Sequence, residues 1–201
     1  SYKIAVLPGD GIGPEVTAES VKVLNVLAQA FQYKFEFEYA KMGAEAIFET
    51  GNPLPEETLT VCKNADAVLF GAIGDPYFDN NPDAKVRPEQ GLLKLRKELG
   101  LFANIRPIKT YSSITKKSPL KKEIVDGTDI QIYRELISGI YFGEKFTDEN
   151  GEYAYDICKY NKDEIVQIAH LAFQDAQKRR KKIRYMATSY FYIHGFSSRF
   201  P

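Results

Sequence analysis

Three arginines and a tyrosine stand in short phrases that separate them from an ordinary charged surface. They are Arg96 in Leu93-Lys94-Leu95-Arg96-Lys97, Arg106 in Ala103-Asn104-Ile105-Arg106-Pro107, Arg134 in Tyr133-Arg134-Glu135-Leu136, and Tyr141 in Gly139-Ile140-Tyr141-Phe142-Gly143. A guanidinium grips a carboxylate through two parallel hydrogen bonds. Several on separate elements suit a small acid with more than one carboxylate. Arg134 interrupts an otherwise apolar strand pattern, where a cation is expensive unless paired. Glu135 or another internal carboxylate is the structural alternative to a ligand, and the pattern alone leaves both open. The glycines flanking Tyr141 permit close backbone approach and leave its hydroxyl reachable. A phenol keeps its proton at neutral pH and can donate it in a reaction. The competing reading is a tyrosine of the core.

Other candidate chemistry is weaker. Gly9-Asp10-Gly11-Ile12-Gly13-Pro14-Glu15 lies between a strand pattern and a helix pattern, as a dinucleotide fingerprint does. That fingerprint needs a third glycine three residues after the second. Counted from Gly9 and Gly11, the position holds Pro14. Glu15 also puts a carboxylate at the helix end that would attract a pyrophosphate. The run reads as a tight turn rather than a Rossmann site, and the absence of Gly-Lys-Ser/Thr excludes a P-loop. Arg87 reads as structural or solvated. His170 and His194 are isolated, and Cys62 and Cys158 are the only cysteines, without metal-type spacing. A chain with so few cysteines is no disulfide framework and fits a reduced, cytoplasmic setting. Lys plus Arg equals Asp plus Glu at 27 each, so no global basic field gathers nucleic acid or anionic lipid. The sequence has no signal-peptide pattern at its start and no membrane-length apolar run.

The elements that must position these residues alternate. Tyr2–Leu7 reads as a buried strand ending at Pro8, and Pro14 can open a helix because its missing N–H is not needed there. Leu24, Leu27, Ala28 and Phe31 continue at helical spacing. Phe35-Glu36-Phe37-Glu38-Tyr39 alternates as a half-buried strand does. A helix over 56–63 and an apolar strand over Ala67–Gly71 follow. Residues 74–88 read as a functional loop, 89–100 as a helix, Phe102–Ile108 and Asp129–Leu136 as strands, and Glu144–Tyr160 as an extended hairpin arm. Asn161 with Glu164 forms a capping-box signature. It opens a helix whose stripe is Ile165, Ile168, Ala169, Ala172, Phe173 and Ala176, with His170 beside it as a packed or solvent-edge histidine. This pattern predicts an α/β layered fold with a largely parallel sheet.

These phrases, together with Leu7-Pro8-Gly9-Asp10-Gly11-Ile12-Gly13-Pro14-Glu15 and Pro88-Glu89-Gln90-Gly91-Leu92-Leu93, resemble the 3-isopropylmalate dehydrogenase family from residue 2 to about Ile183. The resemblance implies that family's non-Rossmann α/β layered fold, incomplete because the C-terminal half is absent. It implies a cofactor-side part over 1–101, a part of the substrate and dimerisation domain over 102–183 with its arm at 144–160, and an atypical tail at 184–201. It implies NAD-dependent oxidative decarboxylation of 3-isopropylmalate to 4-methyl-2-oxopentanoate in leucine biosynthesis, with Mg²⁺ or Mn²⁺ polarising the new carbonyl, in a homodimer. Carried over by matching phrase, Arg96, Arg106 and Arg134 bind the malate-like carboxylates, and Leu92 and Leu93 sit near the isopropyl group. Tyr141 reprotonates the enol left by carbon dioxide. Ile12, Gly74, Asp75, Pro76, Tyr77 and Glu89 border NAD.

The two leucines favour an apolar substrate branch over the extra carboxylate of isocitrate. After Ile183 the family continues into Ser-Val-Asp-Lys-Ala-Asn, whereas this chain reads Arg184-Tyr185-Met186-Ala187-Thr188-Ser189. The catalytic lysine is thus expected to be missing, with Thr188 near its place, and the metal-binding aspartates are expected further on. These departures predict a chain inactive by itself. The alternatives are a non-catalytic interaction module, an isocitrate-type sibling and a generic Rossmann binder.

Overall fold

The computed structural model describes residues 1–81, 83–179 and 182–183; the 184–201 tail, with Thr188 and His194, lies outside them. The chain divides into two compact units. One is Ser1–Asn104 with Glu135–Tyr160, and the other is Ile105–Arg134 with the described residues from Asn161 onward.

The first unit is built on three parallel strands. β1 (Tyr2–Gly9) is central, flanked by β2 (Phe35–Tyr39) and β3 (Ala67–Ala72). Ile4 pairs with Phe37 on one side, and Val6 with Leu69 on the other. A strand covered on both faces must be apolar throughout, and Ala5, Val6 and Leu7 are fully buried. β2 is an edge and keeps the alternation its sequence predicts, half-buried phenylalanines between exposed glutamates. α1 (Gly13–Phe31) connects β1 to β2 with Pro14 in its first turn.

Two further helices, α2 (Ala44–Thr50) and α3 (Glu56–Lys63), lie between β2 and β3. Beyond β3 come a single turn, α4 (Pro76–Asp79), and then α5 (Pro88–Glu98). Ala5 and Leu7 share a core with Met42, Leu54, Leu59, Cys62 and Leu95, so α3 and α5 close over one face of β1. Burial pushes the Cys62 thiol above its ordinary pKa. The short helices α2 and α4 were not expected from the sequence, because each is too brief to display a helical period. The rest of this unit holds a 3-10 turn at Gly139–Tyr141 and an antiparallel hairpin of β6 (Lys145–Thr147) and β7 (Ala154–Asp156).

β4 (Ala103–Lys109) pairs with β5 (Asp129–Glu135), and all of these residues but Ala103, Asn104 and Glu135 belong to the second unit. The Thr110 N–H donates to the Thr128 carbonyl at one end, and the Leu136 N–H to the Phe102 carbonyl at the other, so the strands run antiparallel. α6 (Lys122–Val125) lies between them in sequence. α7 (Lys162–Lys178) starts at the predicted capping box: Asn161 Oδ1 accepts the Glu164 N–H at 3.0 Å, and Glu164 Oε2 accepts the Asn161 N–H at 2.8 Å. Its apolar stripe is half-buried except Phe173, which is exposed, as is His170. Among the described residues no helix is long and apolar enough to cross a membrane.

Candidate functional site

Three candidate cofactor contacts meet at one end of the parallel sheet. The β1–α1 turn carries Gly11, at φ +59°, and Ile12, which is 62% exposed. At the exit of β3 stands Gly74, at φ +120°. A Cβ on Gly11 would lie 4.0 Å from the Gly74 carbonyl oxygen, and one on Gly74 would lie 3.2 Å from Glu89 Oε1. The turn, the Gly74 loop and the first turn of α5 are therefore neighbours. Asp75 caps α4, its Oδ1 accepting the Tyr77 N–H at 2.8 Å, with Pro76 at the first helical position. The exposed Tyr77 ring rests against Phe78 and Phe48, with centroids 5.1 and 5.4 Å away. Arg87 is structural, as its sequence context suggested: Nη1 donates to the Phe78 carbonyl at 2.9 Å and Nη2 to the Asn81 carbonyl at 3.4 Å.

Helical spacing arranges the next candidates. On α5 each residue turns the direction by about 100°, so Glu89, Leu93 and Arg96 share one side, while Pro88, Gly91 and Leu95 are buried on another. Leu92 falls between the two sides and packs against the core cluster. Leu93 and Arg96 are half-buried.

Strand alternation arranges the other two arginines. Arg106 and Arg134 each stand an even number of residues from the opposed pair Thr110 and Thr128, so both project from the same face of the two-stranded sheet. Both are exposed. The opposite face of β5 is tied to α7: Tyr133 donates a short hydrogen bond to Asp175, and Arg179 reaches Gln131 and Asp129. The Tyr133 pKa is raised, first by burial and then by Asp175. Arg134 thus stands on the solvent side of its strand, where its charge keeps water instead of paying for burial. None of Arg96, Arg106, Arg134 and Tyr141 is without a partner in the protein.

Tyr141, 57% exposed, ends a tightly built turn. Glu135 Oε1 accepts the Ile137 N–H at 2.8 Å and Oε2 accepts the Ser138 N–H at 3.2 Å. Gly143 runs so close to the residue that follows β7 that a Cβ there would lie 1.6 Å from the Ile157 carbonyl oxygen. Nothing in the sequence around Glu135 marks it as more than a partner for Arg134, and Asp10, a buried carboxylate beside Gly74, carries no role in the sequence pattern. The signal that could mark Asp10 is Gly9-Asp10-Gly11, a carboxylate between two residues that leave it room. Among the described residues no group of three or more His, Cys, Asp or Glu could hold a metal ion.

The family described as isocitrate/isopropylmalate dehydrogenase matches residues 3–189. A 3-isopropylmalate dehydrogenase of Bacteroides fragilis is 55% identical over 182 residues, covering 90% of this chain and 51% of the relative. One from Aquifex aeolicus is 51% identical over 185 residues, with 90% and 50% covered. This chain therefore spans about half the length of the curated relatives it matches. Among solved structures, a β-decarboxylating dehydrogenase from Thermococcus kodakarensis in its apo form aligns at TM-score 0.62 and 34% identity, over 90% of this chain and 47% of that one. An isocitrate dehydrogenase from Methylococcus capsulatus aligns at TM-score 0.71 over 90% of this chain and 49% of that one, and at 24% identity it shows the fold alone.

Proposed function

The chain belongs to the isocitrate/isopropylmalate dehydrogenase family, and from that premise we propose that it is the N-terminal part of an NAD-dependent 3-isopropylmalate dehydrogenase. The observation that carries the reading is its identity, 55% over 182 residues, to a relative of that name. The family match over residues 3–189 includes every candidate site residue.

In this reading Arg96, Arg106 and Arg134 hold the substrate's carboxylates, where the guanidinium fork matches carboxylate geometry. Leu93, with Leu92 behind it, offers an apolar wall to the isopropyl branch. The group at Ile12, Gly74, Asp75, Pro76, Tyr77 and Glu89 fits the ribose and nicotinamide end of a dinucleotide. The Glu89 carboxylate can accept hydrogen bonds from ribose hydroxyls beside a glycine that leaves space. When bound, NAD supplies the acceptor for the hydride removed from the hydroxyl-bearing carbon. Loss of carbon dioxide from the β-carboxylate leaves the electron pair of the broken bond in an enolate, and the Tyr141 hydroxyl gives its proton to the carbon that carried that carboxylate. The described residues do not fit a divalent ion, and no step is assigned to one.

A lysine base has no counterpart in Arg184–Ser189, so the 201-residue chain alone is expected to bind NAD and metal weakly and not to turn over. The domain division, homodimeric assembly and cytoplasmic setting belong to the same proposal. The test is a titration of the purified chain with 3-isopropylmalate and with isocitrate, followed by ¹⁵N resonances, with a parallel assay of NADH absorbance. Shifts at Leu93, Arg106 and Arg134 with 3-isopropylmalate, weaker with isocitrate, are expected. A stronger response to isocitrate would move the substrate to the sibling class, and metal-dependent NADH formation would refute the inactivity.

A second reading, a non-catalytic interaction module, is favoured by one observation. Ile108, Ile130 and Ile132 are exposed on the same sheet face as the two arginines. Self-association in sedimentation without any ligand response would support it.

A further inference from the structure

We propose that Asp10 is the positioning residue of the dinucleotide loops, its carboxylate holding the Gly74 loop and the start of α2 in one arrangement with the turn that carries Ile12. The proposal rests on the cofactor reading above. Asp10 is 6% exposed. Its Oδ1 accepts the Ala44 N–H at 2.7 Å, and its Oδ2 accepts the Gly74 N–H at 3.0 Å. Its backbone is tied as well: its N–H donates to the Ala72 carbonyl at 2.8 Å, and its carbonyl accepts the Gly13 N–H at 2.9 Å. One residue thus links three segments that are distant in sequence.

A buried carboxylate is costly unless its oxygens are satisfied. Here amides satisfy them, so the charge places backbone. The surroundings are shaped for it. Gly43 adopts φ +82°, and a Cβ there would lie 2.4 Å from Oδ2 and 2.7 Å from Oδ1. No other side chain could face the carboxylate so closely. Asparagine in its place would present an NH₂ to one of the two N–H donors, so the same shape could hold one segment but not both. Because Gly74 lies against both Gly11 and Glu89, releasing it disturbs every candidate contact at once.

The experiment uses the ¹⁵N-labelled 201-residue chain. NAD is added to millimolar concentration while the Ile12, Gly74 and Tyr77 amides are followed, and amide exchange is measured at Ala44 and Gly74. Asp10→Asn with an unchanged far-UV spectrum should speed exchange at one or both amides about tenfold or more. It should raise the half-response concentration of NAD by a similar factor. Protection retained at both amides, or an unmoved NAD midpoint in a responsive chain, overturns this proposal alone. A wild-type chain silent to NAD overturns the cofactor reading and this proposal with it. Should Asp10→Asn not fold, Asp10→Glu keeps the charge while one added methylene displaces both oxygens, and it is held to the same exchange at Ala44 and Gly74 and the same NAD midpoint.

Discussion

Glu135 makes the turn before Tyr141 experimentally accessible. Its two oxygens accept the Ile137 and Ser138 N–H groups at 2.8 and 3.2 Å. A hydrogen bond to a charged group contributes about 1.5–3 kcal/mol when buried. Glu135 is half-buried, which places each bond at or below the low end. Glu135→Ala should therefore cost about 2–3 kcal/mol, and Glu135→Gln, which keeps one acceptor, about half of that. Urea unfolding followed by far-UV dichroism reads the difference as a fall in midpoint of about 1 M for alanine, at unchanged slope. Amide exchange should rise at Ile137 and Ser138 together in Glu135→Ala and chiefly at one of them in Glu135→Gln. Equal losses in the two variants, or no rise in exchange at either amide, would refute the claim that this carboxylate builds the turn. The functional corollary is that Tyr141 resonances broaden in the alanine variant, since the turn that carries the phenol has lost its anchor.

Other outcomes follow from the same geometry. Leu95→Ala opens the core shared by β1, α3 and α5 and should cost about 3 kcal/mol in chemical unfolding. Lys94→Ala breaks only the exposed 2.9 Å pair with Glu56 and should stay under about 0.5 kcal/mol. Gly9→Ala meets both strain at φ +72° and a Cβ only 1.9 Å from the Ala72 carbonyl oxygen, whereas Gly51 has the same φ and open space. Thermal melts should show a loss of about 3 kcal/mol at Gly9 and about 1 kcal/mol at Gly51, separating clash from strain. The folded state favours protonated Tyr133, whose pKa is raised by burial and Asp175. Its contribution is complete below the ordinary tyrosine pKa of ~10 and is lost as pH rises from there through the folded value. Tyr133→Phe should cost about 1 kcal/mol near neutrality and flatten the decline of melting temperature above about pH 10. An unchanged alkaline slope would remove Tyr133 as its source.

Local chemistry was legible residue by residue. Pro14 can stand only near a helix start, the Asn161 and Glu164 pair satisfies orphan amides within one turn, and Phe35–Tyr39 alternates because an edge strand has one dry face. The phrases around Arg96, Arg106, Arg134 and Tyr141 likewise carry their resemblance in a few adjacent residues. What the sequence leaves open has a common cause. Whether Leu92 faces the core or a ligand depends on what packs against α5, and Arg134 stands on the solvent side because α7 occupies the other face of β5. Asp10 and Glu135 look like any acidic residue until the amides of Ala44, Gly74, Ile137 and Ser138 come within reach. Propensity and capping act over a few residues and are written in the chain. A buried carboxylate takes its meaning from donors brought to it by packing: Gly74 lies 64 residues from Asp10, and no local pattern spans that separation.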